Sequence, residues 1–144
     1  VDPLEDLPSS FDSLGSTLEN AARLDAAGVS VAFTTAGTAD AYFNARLLPQ
    51  HAGNAVANGM PWDAAFRAIT LTPAEIYGLG DRFGALAPGY AGDVVVWDGD
   101  PLEVMSAPTA VLIDGEPTEL QSRQTELRDR YINITDSTPF AYRH

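Results

Sequence analysis

Few side chains in this sequence can do chemistry. Its two histidines, His51 and His144, stand far apart and no His-x-His pair occurs, so no local spacing holds two imidazoles on one metal ion. Cysteine is absent, which excludes disulfides, thiolate nucleophiles and Cys-based zinc or iron–sulfur sites and fits a reducing cytoplasm. All eight basic residues are Arg. Without lysine the chain offers neither a Schiff-base nucleophile nor a carbamylated bridge between metals. Asp93, Asp98 and Asp100 have a calcium-like spacing at first sight, but the Gly and the distal Glu of an EF-hand loop are missing, and aspartates beside Gly99 and Pro101 form turns. Asn133-Ile134-Thr135 matches a glycosylation acceptor, which has meaning only on a secretory route.

The chain that must position these groups has 144 residues, enough for one domain that buries roughly 70% of its unfolded surface. It is 45% hydrophobic, with no apolar stretch near the ~20 residues that a membrane helix needs. The formal charge is −12. With no basic cluster to displace counterions, the composition argues against nucleic acid as a partner, and nothing suggests a membrane. The sequence starts at Val1, and residues 1–10 are acidic and proline-bearing, unlike a signal peptide. The expectation is a trimmed start or a piece of something longer.

Ser16-Thr17-Leu18-Glu19 has the form of a capping box and predicts a helix start, with Gly28 as its left-handed stop. Residues 29–33, Val-Ser-Val-Ala-Phe, alternate and predict a strand. Helical spacing follows over residues 47–56 with Gly59 as a stop, then from Pro61 through Ile69, then from a second box at Thr72-Pro73-Ala74-Glu75 to Gly78. Beyond Gly84 the period becomes two. Val94-Val95-Val96-Trp97 is an apolar run that wants burial on both faces, and residues 110–113 lead through Asp114-Gly115, a tight hairpin signal, into residues 116–120. An amphipathic helix is expected from Ser122 to about Ile132, followed by a tail.

The order of short motifs now carries a resemblance. Ala65-Phe66-Arg67-Ala68-Ile69-Thr70, Thr72-Pro73-Ala74, Gly78-Leu79, Gly84-Ala85-Leu86-Ala87-Pro88-Gly89, Ala91-Gly92-Asp93-Val94-Val95-Val96-Trp97 and Val111-Leu112-Ile113-Asp114-Gly115 together resemble the C-terminal third of amidohydrolase-superfamily enzymes. The likeness covers residues from about 14 to 120 and points to the imidazolonepropionase-like and cyclic-amidase branches. It implies an α/β fold: the C-terminal end of a (β/α)8 barrel over residues 1–80, the C-terminal strands of a composite β-sandwich over 81–121, and a terminal helix and tail over 122–144. Residues 29–33 resemble the eighth barrel strand. The sandwich's other strands would come from an N-terminal portion, so the run at 94–97 would be covered by that portion or by a second copy of the chain.

The resemblance also implies a small-molecule substrate and one or two divalent metals such as zinc, which make hydroxide available near neutral pH and polarise a carbonyl. The family's histidine ligands have no counterparts in this sequence, so no metal is expected on this chain alone. The family's last ligand, an Asp after the eighth strand, has one counterpart, Asp40, separated from Phe33 by Thr34-Thr35-Ala36-Gly37-Thr38-Ala39. As barrel-top loops place catalytic groups, Asp40 is the candidate metal ligand and general base, against the plainer role of a solvated or capping Asp. Asn44, Arg46 and His51 are candidate pocket residues, with surface roles favoured for the first two and a structural role for His51. Trp62 and Trp97 are expected in the core. The functional expectation is part of a metal-dependent hydrolase of non-peptide carbon–nitrogen bonds, inert in isolation; the alternative is a noncatalytic assembly or binding module.

Overall fold

The computed structural model describes residues 11–35 and 41–132. After a 3-10 turn at Phe11–Ser13 comes helix α1, Asn20–Ala26. The capping box does not form. The Glu19 carboxylate pairs forward with Arg23 at 2.7 Å, a charge-assisted i,i+4 contact, and the Thr17 hydroxyl, not that of Ser16, accepts the Glu19 amide at 3.3 Å. Gly28 closes the helix at φ 77, as expected.

Residues 29–35 form no regular strand. Val31 and Phe33 are buried and alternate with half-buried Ala32, so the period-two pattern is real. What is missing is a ladder: among the described residues no strand lies alongside, and the Phe33 N–H donates to the carbonyl of Ala68 at 3.1 Å.

A 3-10 helix at Ala41–Leu47 leads into α2, Leu48–Ala57, with Pro49 in its first turn and Gly59 just past its end at φ 98. Helix α3 is Trp62–Arg67, with Pro61 at its N-cap and not inside it. Helix α4 is Leu71–Ile76. Here too the expected box is absent: Thr72 is buried inside the first turn, and the Glu75 carboxylate accepts from Arg67 at 2.6 Å. The core is built largely from alanines, Ala21, Ala52, Ala55, Ala65 and Ala68, with Val31, Phe33, Met60 and Leu102. Small side chains let the helices approach closely.

Three antiparallel strands follow in the order β1 (Val94–Trp97), β2 (Pro108–Ile113), β3 (Glu116–Thr118). Val94 faces Leu112, Val95 faces Val111 and Val96 faces Ala110, while Trp97 faces Pro108, which leaves Thr109 as the extra residue of a bulge. Asp114 and Gly115 turn the β2–β3 hairpin at φ 51 and φ 80, the doubly left-handed turn that suits the twist of paired strands. Burial on both faces of the apolar run is not what the chain provides. Val95 and Val96 are 46% and 47% exposed, and among the described residues β1 packs mainly on β2. Helix α5, Arg123–Ile132, starts where expected: Ser122 and Thr125 exchange bonds, the Thr125 N–H to the Ser122 hydroxyl at 3.2 Å and the Ser122 N–H to the Thr125 hydroxyl at 2.8 Å. None of its residues is buried.

Candidate functional site

The sheet is joined to the helices through the β1–β2 loop. Asp100 begins the junction: its carboxylate accepts the Leu102 N–H at 2.9 Å, which shapes the turn, and also the indole N–H of Trp62 at 3.0 and 2.9 Å. The turn aims Leu102 into the helical core, where it is 5% exposed. Gly53 on α2 makes this possible. A Cβ there would run into the carbonyl oxygen of Leu102. Trp62 is therefore not the core residue expected of it: 41% exposed, it stacks on Phe66 with ring centroids 5.0 Å apart and keeps its N–H edge for Asp100.

Two cavities flank this junction. One of about 480 Å3 has Arg46, Pro49 and Gln50 on one wall and Val95, Trp97 and Glu103 on the other. A second, of about 470 Å3, lies among Phe66, Ile69, Leu86, Val94 and Val95. Of the candidate pocket residues, Arg46 reaches the first of these from the 3-10 helix. Asn44, on the same helix, is half-buried and borders neither cavity. His51 is 5% exposed in the first turn of α2 and lines neither of these two cavities. Asp40 lies outside the described residues, as do His144 and the tail beyond Ile132.

The three spaced aspartates act as turn formers. Asp93 accepts the Asp114 N–H at 2.8 Å and Asp98 accepts the Ala107 N–H at 2.7 Å, while Asp100 is held as described. Among the described residues, no three His, Asp or Glu side chains are grouped to hold a metal ion. The donors among the described residues do not by themselves fit a metal centre. The Trp62–Asp100 contact and the Gly53–Leu102 approach were not foreseen; partners 38 residues apart leave no periodic signal in sequence.

Mixed helices and strands, with a small antiparallel sheet after the helices, give a chain of the α/β class. The chain belongs to the amidohydrolase family, whose model matches residues 1–124. It is 36% identical over 86 residues to Amidohydrolase tasK of Hapsidospora irregularis, a match that covers 56% of this chain and 9% of that protein. It resembles the crystal structure of an amidohydrolase from Thermotoga maritima MSB8 with a TM-score of 0.70 and 29% identity, over 83% of this chain and 30% of that one. A second amidohydrolase crystal structure matches with a TM-score of 0.59 and 27% identity, over 77% of this chain and 28% of the other. The chain thus spans less than a third of the length of these relatives. Members of the family generally use a divalent metal.

Proposed function

We propose that this chain is the C-terminal segment of a metal-dependent amidohydrolase that acts on a non-peptide carbon–nitrogen bond, an amide or cyclic amide of a small molecule, and that the segment alone is inert. The observation that carries this is the asymmetry of coverage: 83% of this chain superimposes on only 30% of an amidohydrolase, and the described residues hold no cluster of metal ligands. Residues 29–33 would take the place of the eighth barrel strand. Residues 1–80 would close the barrel, 81–121 would contribute to a composite β-sandwich, and 122–144 would form a terminal appendage.

In the parent enzyme a divalent metal such as zinc would be held by histidines of the N-terminal portion and would supply Lewis-acid chemistry. The contribution of this chain would be Asp40 at the barrel mouth, as last ligand and proton acceptor, with Arg46 and Asn44 at the rim and His51 supporting α2 from within. Its partners would be the substrate and either the N-terminal portion of the same protein or a second copy, in the cytoplasm, with no role for nucleic acid or membrane.

The half-exposed Val95 and Val96 favour one second reading, a noncatalytic module that uses the sheet for assembly. Production of the chain alone and together with its upstream coding sequence separates the two. Hydrolysis of cyclic amides or dipeptides only by the combination supports the hydrolase; no hydrolysis by either, with stable association of the two parts, supports the module.

A further inference from the structure

The end of α2 sets a reactive pair of residues side by side. Asn58 is followed by Gly59, and no other asparagine in the sequence precedes a glycine. A backbone nitrogen can attack the carboxamide carbon of the residue before it, and glycine, which has no Cβ, hinders that attack least. Gly59 is there for another reason. It sits at φ 98, just past the helix, where a side chain would be strained. The residue that stops α2 is thus also the one that leaves its C-cap open to covalent change.

The fold keeps the two groups from reacting. Asn58 has φ −105 and ψ 25, whereas ring closure needs the Gly59 nitrogen to eclipse Cβ about the Cα–C bond, which in an L-residue means a strongly negative ψ. Three hydrogen bonds oppose that rotation. The Asn58 side-chain amide donates to the Asn54 carbonyl at 2.8 Å, the Gly59 N–H to that of Val56 at 3.0 Å and the Met60 N–H to that of Ala55 at 3.0 Å. The last two are the paired bonds of a Schellman motif, and its two apolar positions, Ala55 and Met60, are both buried in the core. Turning Asn58 towards attack would swing Met60 out of that core.

We propose that Asn58 is the deamidation site of this chain, closed by the C-cap of α2 and opened when Met60 leaves the core. In the open state the Gly59 nitrogen bonds to Asn58 Cγ, the Cγ–Nδ2 bond breaks, and the Gly59 amide proton departs with Nδ2 as ammonia. Water then opens the cyclic imide at either of its carbonyls and leaves aspartate or isoaspartate at position 58. No oxidant or cofactor takes part. The product does not restore the cap: a carboxylate has no hydrogen to donate to the Asn54 carbonyl, and it brings negative charge to the negative end of the helix. Each event leaves α2 less able to hold Met60.

The full chain, incubated at mildly alkaline pH either folded in buffer or unfolded in urea, tests this by peptide mass mapping. Asn58 should be modified first, about tenfold or more slowly in the folded chain, because attack requires the cap bonds to break. Both isoaspartate and aspartate should appear, since direct hydrolysis gives aspartate alone. Met60→Ala, with its fold verified by amide exchange in β2, should raise the rate in buffer several-fold, whereas Gly115→Ala, a lesion in the β2–β3 hairpin, should leave it unchanged. Asn58→Asp, which installs one of the products, should exchange the Met60 amide about threefold faster than the wild type. Equal rates at Asn58 in the folded and unfolded chain, earlier modification of another asparagine, aspartate without isoaspartate, a folded Met60→Ala variant that reacts no faster, Gly115→Ala reacting as fast as Met60→Ala, or unchanged exchange in Asn58→Asp would overturn the proposal. The comparison of folded and unfolded wild type stands whether or not Met60→Ala folds, and none of these readouts depends on hydrolase activity.

Discussion

The indole N–H of Trp62 points at both carboxylate oxygens of Asp100, 3.0 and 2.9 Å away, and so ties the first turn of α3 to the loop between β1 and β2. The Leu102 side chain behind this contact packs into the helical core and fastens the same loop, while Tyr90, whose hydroxyl donates to the Gly80 carbonyl at 2.8 Å, braces the segment between α4 and β1. Trp62→Phe retains a ring to stack on Phe66 and removes the donor. It should cost about 1 kcal/mol in urea unfolding, whereas Asp100→Asn, which still accepts from Trp62 and Leu102, should cost less. Equal losses in the two variants would mean that the hydrogen bond is not what matters at this contact.

Gly53→Ala sets helix propensity against packing. Alanine inside α2 should gain about 1 kcal/mol of intrinsic helix preference over glycine, but its Cβ would collide with the Leu102 carbonyl oxygen, and overpacking of this kind costs about 1–3 kcal/mol. The expected result is a net loss, larger than that of Gly15→Ala, where nothing lies within 4 Å of the new methyl. A more stable Gly53→Ala variant would show that the loop does not sit against α2.

Gly115→Ala isolates the backbone. A methyl there meets nothing within 4 Å, yet the residue sits at φ 80, where an L side chain costs roughly 1–2 kcal/mol. The variant should lose about that much, with the effect confined to the hairpin: faster amide exchange in β2 and β3 and little change in α2. Asp114→Gly, at φ 51, should be tolerated. Equal tolerance of both substitutions would rule out the doubly left-handed turn.

These positions also show what the sequence can and cannot disclose. The Asp114-Gly115 turn, the run at Val94–Trp97 and the start of α5 beside Ser122 were legible because each is decided within a few residues. Glycines 28, 59 and 78 were legible as helix stops for the same reason, and all three sit at positive φ. The capping boxes at Ser16 and Thr72 failed because the helices begin elsewhere, α1 after Glu19 and α4 after Thr70, and the two glutamates pair instead with Arg23 and Arg67. Where a helix starts depends on packing that a four-residue pattern does not contain. Residues 29–33 carry strand alternation but join no sheet among the described residues, since pairing depends on neighbours and not on the segment. Of the candidate site residues, Arg46 lies on a cavity wall and His51 is buried in the first turn of α2, the structural place its sequence context favoured, and neither observation assigns a role in catalysis.

The most direct test of the chain as a C-terminal segment is metal content. After exhaustive dialysis, the isolated chain should hold zinc well below one equivalent, and its hydrolysis of cyclic amides and dipeptides should stay at the buffer rate with zinc added back. One tightly held metal per chain, lost in the Asp40→Ala variant, would contradict the assignment and make the chain a metal enzyme in its own right.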